Sequence, residues 1–260
     1  MKKGQTTIFI IIAVIIVVIV LLFVFLKSDK EEHNLNYFKE HGLQPTVNNI
    51  QGFIIDCLET TSKDALIRTG IQGGYYNKPK YYYDMEWTFV PYYYHVGEFL
   101  QPSAQEIESE LSNFIDNEIG SCIRDIKFSD FEVTFSEPQT TTTIKQSEIT
   151  FKTSLSTKIN HDNNVVVFEL SEHSLTIDSK LSDIIKLATY ITDSHKEDAD
   201  LMCINCITEM AKQDNLYVDF IAFEEDSTLV MILENKTMEQ PYLFEFLNKY
   251  PLPTEELLTP

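Results

Sequence analysis

The chain opens Met1-Lys2-Lys3-Gly4-Gln5 and then runs from Ile8 to Leu26, 19 residues, without a charge, a proline or a glycine. At about 1.5 Å per helical residue this run spans roughly 28 Å, close to the ~30 Å hydrocarbon thickness of a bilayer. Its Leu, Ile, Phe and Val residues each favour insertion by about 0.3–0.6 kcal/mol near mid-membrane, so a single transmembrane helix is predicted. A cleavable secretory signal has a shorter core, about 7–15 residues, and ends in small residues. Here the run ends Phe23-Val24-Phe25-Leu26-Lys27, so a retained helix is expected. Lys2 and Lys3 before it nearly balance Lys27 and Lys30 after it. Basic flanks therefore leave orientation almost open, with the terminal amine tipping the N-terminus toward the cytoplasm.

About 230 residues follow, enough for one medium or two small cores. The formal charge is −20, from 40 acidic against 20 basic residues, which argues against nucleic acid and anionic lipid as partners. An Asp-x-Asp-x-Asp-Gly calcium loop, an H-E-x-x-H zinc pair, a G-x-S-x-G nucleophile elbow and a phosphate loop are all missing from the sequence. No metal, cofactor or catalytic residue is therefore assigned. Glu224-Glu225-Asp226 reads as a turn, and His173 beside Glu172 as a solvated strand residue.

The four cysteines are Cys57, Cys122, Cys203 and Cys206. An even count in an exported domain suggests disulfides. Cys57 and Cys122 each fall on or at the end of a predicted helix and are expected to pair. Closing that loop of about 66 residues stabilises by roughly 4 kcal/mol in the chain-entropy view. Cys203-Ile204-Asn205-Cys206 is a lone C-x-x-C with three open readings: a local disulfide, a redox-active pair, or free or zinc-bound thiols. The segment before Cys203 reads as helix, which is not the βαβ setting of a thioredoxin motif.

Ser28 to Gln44 is polar without a clear period and reads as a juxtamembrane stalk. From Thr46, residues Val47, Ile50, Ile54, Cys57, Leu58, Ala65 and Leu66 follow a helical period, with Gly70 as a C-terminal stop. Ser103-Ala104-Gln105-Glu106 is a capping box opening a second helix with Ile107, Leu111, Phe114, Ile115 and Ile119 on one face. Between the two, eight of the thirteen tyrosines crowd into 20 residues from Tyr75 to Tyr94. Tyr81, Tyr82, Tyr83, Trp87, Tyr92, Tyr93 and Tyr94 are a candidate binding surface, because such amphipathic rings suit sugar stacking or a protein interface. The competing reading is of short strands that bury alternate rings.

From Phe128 the period becomes two: Phe131, Val133 and Phe135, then Ile149, Phe151, Leu155 and Ile159. Asn160 to Asn164 is a turn into a strand over Val165 to Leu170, and Thr140 to Thr143 reads as a surface loop. Helical spacing returns at Leu181, Ile184, Ile185, Ala188 and Ile191. A capping box at Ser194 to Glu197 then leads through Leu201, Ile204, Ile207 and Met210. Strands are expected over Leu216–Phe223, Thr228–Leu233 and Pro241–Phe246, followed by a Pro-rich tail. The order predicts an α+β fold: a transmembrane helix, then an extracytoplasmic domain with a helix pair and an antiparallel β-sheet. The expected divisions are 1–27 leader and span, 28–44 stalk, 45–127 helix pair with the Tyr-rich insert, 128–250 sheet with a helical insert, and 251–260 tail.

The leader resembles the archaeal class III, prepilin-like signal peptide, in which a basic segment ends in Gly and processing leaves Gln first. Lys3-Gly4-Gln5 carries that likeness, which implies a processing site between Gly4 and Gln5. Phe9 departs from the pattern near where such pilins carry glutamate, which favours an anchor over a filament subunit. A broader resemblance joins Asp56-Cys57-Leu58, Gly70-Ile71-Gln72-Gly73-Gly74-Tyr75, the second cysteine and Pro241 to Phe246. It is to a group of archaeal membrane-anchored proteins of unknown function. That likeness implies a membrane-anchored placement and a Cys57–Cys122 pair, and no activity. Asn235-Lys236-Thr237 is a glycosylation acceptor sequence that, with the cysteines, favours an outward-facing domain. The partners expected are the membrane and envelope proteins or surface glycans. A pilin-like subunit and a tethered thiol-disulfide redox protein are the alternatives.

Overall fold

The helix expected from Thr46 forms as α1 (Gln44–Ile71), and Val47, Ile50, Ile54, Cys57, Leu58, Ala65 and Leu66 are all buried. The computed structural model describes residues 44–124, 131–162, 164–196, 202–234 and 242–251. The leader, the apolar span, the stalk up to residue 43, the Asn235 sequon and the tail from residue 252 lie outside them. Among the described residues no helix is long and apolar enough to cross a membrane; Ile8 to Leu26 lie outside them.

α1 ends one residue beyond Gly70. Gly74 N–H donates to Thr69 O (2.6 Å) and Gly73 N–H to Gly70 O (3.0 Å), with Gly73 at φ +52°. This pairing is a Schellman cap, which needs a left-handed residue at the first position past the helix. Gly70 is required for a different reason, since a Cβ there would collide with Leu243 O and lie 2.9 Å from the Tyr242 ring. Its missing side chain lets the last helical turn approach the final strand.

The second helix, α2 (Ala104–Arg124), begins at the predicted capping box. Ser103 N–H and Oγ–H both donate to Glu106 Oε2 (2.7 and 2.8 Å), and Glu106 N–H donates back to Ser103 Oγ (3.2 Å). Cys122 lies inside this helix and is joined to Cys57, with Cα atoms 5.8 Å apart. α3 (Leu181–Asp193) is followed by a 3-10 turn (Ser194–Lys196), and α4 spans Ile204–Gln213. The N-terminus of α3 is capped from afar. Glu234 Oε1 accepts from Lys180 N–H (2.7 Å) and Ser179 Oγ–H (3.3 Å), and Ser179 Oγ accepts from Leu181 N–H (3.1 Å). A carboxylate suits the unpaired donors and positive dipole end of a helix start.

Two sheets accompany four described helices, which gives an α+β architecture. One sheet holds β4 (Glu132–Phe135), β5 (Gln139–Ile144), β6 (Glu148–His161) and β7 (Asn164–Asp178). β7 pairs β6; β5 and β4 pair successive halves of β6, antiparallel. The register moves from Phe135↔Thr157 to Gln139↔Ser154, so three residues face two and one is extra. That is a β-bulge, and it contains Pro138, which has no N–H for the ladder. The threonines at 140 to 143 are therefore strand, not surface loop. Their β-branched side chains favour the pleated conformation, which outweighs their polarity.

The other sheet has the order β1 (Tyr82–Asp84), β2 (Phe89–His95), β10 (Leu243–Lys249), β9 (Ser227–Glu234), β8 (Leu216–Phe223), with β3 (Glu98–Phe99) beside β2. β8, β9 and β10 form an antiparallel meander, but β10 runs parallel to β2, with Leu247↔Tyr92 and Lys249↔His95 in register. The wholly antiparallel sheet expected from sequence is thus corrected to a mixed one. Hairpin chemistry forces antiparallel pairing only on strands joined by a tight turn, whereas β2 and β10 lie about 150 residues apart in the chain.

The chain divides into two compact units. One holds α1 up to Ile54, 131–136, and 156–169; the other holds 55–124, 137–155 and the residues from Leu170 on. In the second, Glu108, Ser112 and Asp116 of α2 run along the edge of β5. Ile144 N–H donates to Glu108 Oε1 (2.8 Å), Thr142 N–H to Ser112 Oγ (3.0 Å), and the Thr140 backbone hydrogen-bonds Asp116. Four helical residues rise about 6 Å and two strand residues about 6.7 Å, so an i, i+4, i+8 helix face can meet alternate N–H groups of a strand. The helix covers an edge that would otherwise present open donors.

Candidate functional site

The Tyr-rich segment leaves α1 through the Gly73-Gly74 turn and is fastened to α2 at once. Glu110 Oε2 accepts from Tyr76 N–H and Asn77 N–H, each at 2.8 Å. Tyr76 packs edge-on to Phe114, with centroids 5.1 Å apart, and its hydroxyl donates to Glu118 Oε1 (3.0 Å). Burial, then the Glu106 and Glu110 charges, push the Tyr75 hydroxyl up to about 12, so it stays a neutral donor to Leu100 O (3.0 Å).

The seven candidate aromatic residues then separate. Tyr92, Tyr93 and Tyr94 are all buried in β2. Tyr93 stacks on Phe246 of β10 (4.2 Å between centroids, 16° between planes), and its hydroxyl donates to Gly73 O (2.8 Å). Tyr92 packs with Val90 and Leu247, against which the half-buried Tyr81 and Tyr83 also lie. Trp87 is the outlier, 76 % exposed at the tip of the β1–β2 connection, with Met85, two positions earlier in the same turn, also exposed. The turn is built locally: Asp84 Oδ1 accepts Glu86 N–H (2.9 Å), Met85 N–H donates to Thr88 O (2.9 Å), and Glu86 has φ +69°. Lys78 braces its base, bonding Asp84 Oδ2 at 2.7 Å while lying 4.9 Å over the Tyr82 ring. Hydrogen bonding from Lys78 holds the Asp84 carboxyl below its ordinary value. Lys80 does the same at the neighbouring ring, 4.4 Å over Tyr81 and bonded to Glu98 (3.1 Å). The segment is thus a packed scaffold that lifts one indole into solvent.

The C-x-x-C sits elsewhere and in a setting that the helical period obscures. Cys203 and Cys206 are bridged, and both are exposed. Cys203 is the N-cap of α4, not an interior helical residue, and its Sγ accepts from Cys206 N–H (3.3 Å). Helical spacing through Leu201 cannot reveal this, because an N-cap residue leaves the helical conformation while the periodic pattern continues past it. By contrast Cys57 is 1 % exposed, and the described chain holds no free cysteine.

One buried imidazole carries no sequence signal. His195, in the 3-10 turn after α3, is 6 % exposed among Tyr94, Tyr250 and Asn248. Its Nε2 lies 3.3 Å from Asn248 Nδ2, and its Nδ1 has no hydrogen-bond partner among the described residues. Burial lowers its pKa, so the folded protein holds it neutral. Between that lowered value and the ~6.5 of an exposed imidazole, the unfolded chain binds more protons than the folded one. Its contribution is complete above about pH 6.5 and is lost as pH falls through the folded value. Thermal melts of the wild type and His195→Gln across pH 8 to 5 should therefore diverge, the wild type losing more stability on acidification. Parallel curves would contradict this account.

Other surfaces offer less chemistry. A groove of about 180 Å³ lined by Thr134, Phe135, Ser136, Ser156 and Lys158 is smaller than the roughly 300 Å³ at which ligand pockets begin. Among the described residues no three His, Cys, Asp or Glu side chains are placed to hold a metal. The fold and these sites define a disulfide-stapled α+β protein with two sheets and an aromatic-tipped hairpin. No protein-family model, curated protein or solved structure matches the chain.

Proposed function

We propose that this is a single-span, membrane-anchored protein with its N-terminus in the cytoplasm and its α+β region displayed outside, where it binds a partner at the cell surface. The observation that carries the reading is the pairing of all four cysteines, including a helix-to-helix cross-link over a sequence separation of 65. Such bridges form and persist in oxidising compartments. The 19-residue apolar run supplies the tether. Trp87, on its braced turn, is the contact point for envelope proteins or surface glycans, since an exposed indole on a rigid hairpin stacks on a sugar face or fills an apolar pocket with little loss of freedom.

Membrane fractionation followed by protease treatment of intact cells tests the placement. The protein should sediment with membranes and lose its folded region to external protease. Recovery from the soluble fraction, or full protection on intact cells, would overturn it. The Lys3-Gly4-Gln5 junction supports a second reading, a pilin-like subunit cleaved between Gly4 and Gln5. A mature mass beginning at Gln5 would favour processing, and an intact Met1 or Lys2 start would exclude it.

A further inference from the structure

We infer that the Cys203–Cys206 bridge is a thiol–disulfide exchange site that oxidises an exposed dithiol of another polypeptide, whereas Cys57–Cys122 is an inert staple. The inference rests on the outward placement proposed above only for its setting; its chemistry is intrinsic to the chain. Three observations converge. Cys203 and Cys206 are both exposed, while Cys57 is buried and Cys122 half-buried, so an incoming thiolate reaches the first bridge far more readily than the second. Cys203 is the N-cap of the ten-residue helix α4, where unpaired backbone N–H groups and the helix dipole favour negative charge. One of those donors, Cys206 N–H, is already directed at Cys203 Sγ. Ile204, between the two cysteines, is 47 % exposed and offers an apolar contact for the partner's chain.

These features decide which sulfur leaves. A partner thiolate attacks Cys206 Sγ, forming a mixed disulfide. The electron pair of the Cys203–Cys206 bond departs on Cys203 Sγ, where the helix start and the Cys206 N–H stabilise the thiolate. A stabilised thiolate is the better leaving group. The partner's second thiol releases its proton to solvent and attacks its own sulfur of the mixed disulfide, expelling Cys206 as a thiolate. Two electrons pass from the partner dithiol, which becomes a disulfide, to the C-x-x-C, which becomes two thiols. No metal or cofactor enters the step.

The test uses the purified full-length protein in detergent, so its outcome does not depend on cellular placement. The protein is titrated with dithiothreitol under native conditions, newly freed thiols are alkylated, and each cysteine is quantified by peptide mass spectrometry. Cys203 and Cys206 should label together at roughly tenfold or more lower reductant than Cys57 and Cys122, as expected for an exposed, labile bridge against a largely buried structural one. In the single variants, Cys203 of Cys206→Ser should form a mixed disulfide with glutathione disulfide at about pH 6 several-fold faster than Cys206 of Cys203→Ser, as a helix N-cap thiolate requires. Release of both bridges at the same reductant concentration, or equal rates in the two variants, would overturn the assignment. A failed protease experiment on cells would leave both readouts unchanged and count against placement alone.

Discussion

Replacing Cys57 and Cys122 together by alanine should lower the unfolding free energy by about 4 kcal/mol, because the bridge closes a loop with a sequence separation of 65. The bridge acts mainly on the unfolded chain: it removes conformations that become available again once the cross-link is gone. It joins α1 to α2 on either side of the entire Tyr-rich segment, so every residue from the Gly73 turn to β3 lies inside the closed loop. For a protein of this size a change of that magnitude lowers the melting temperature by roughly 10 °C. Denaturant unfolding supplies a second signature, since a chain without the link expands further and should show a larger dependence on urea. An unchanged midpoint in the double variant would show that the loop is held by packing alone. The Cys203–Cys206 bridge encloses only three peptide links, so its removal should cost far less.

Phe246→Ala should cost about 3–5 kcal/mol, the range for deleting a fully buried aromatic ring. Phe246 is completely buried at the centre of β10, stacked on Tyr93 of the parallel neighbour β2. Removing the ring takes away apolar burial and leaves Tyr93 facing a void, which the surrounding strands can collapse only in part. Phe246→Leu fills part of that space and should retain much of the stability. Trp87→Ala is the matched contrast: its ring is 76 % exposed, so its removal should stay within about 0.5 kcal/mol of wild type. Urea unfolding of the three variants checks this order. A Trp87 variant as damaged as Phe246→Ala would mean that the hairpin tip is packed rather than presented.

The contrast between those two rings shows where local pattern loses its power. Both belong to aromatic-rich stretches, and nothing in composition separates a core phenylalanine from a displayed tryptophan. The alternation of β2 was not informative, because Phe89 to Tyr94 are buried on both faces and read as a continuous apolar run. The α1 and α2 stripes were legible because a 3.6-residue period repeats over many turns, and the Ser103–Glu106 box because its partners are three residues apart. The Thr140–Thr143 strand was not legible because four consecutive threonines carry no apolar alternation, although its hairpin partner β6 follows directly in the chain. The Ser112 and Asp116 acceptors on α2 and the facing strand β6 decide its conformation, and composition alone points to a loop.

Taken alone, the sequence determined what depends on short range: an apolar run long enough to span a bilayer, two amphipathic helices with a cysteine on each, a cap, turns at Gly73 and at Glu224 to Ser227, and strands of period two. Those signals are written into residues a few positions apart, where backbone geometry limits the outcomes. Tertiary structure decided what depends on residues remote in the chain. It set β10 parallel to β2, brought the Glu234 carboxylate to the start of α3, and put a helix edge along β5. It buried three of the tyrosines while leaving Trp87 outside. The physical reason is the same in each case: burial and hydrogen-bond completion belong to the assembled fold, and no local pattern carries the identity of a partner remote in the chain.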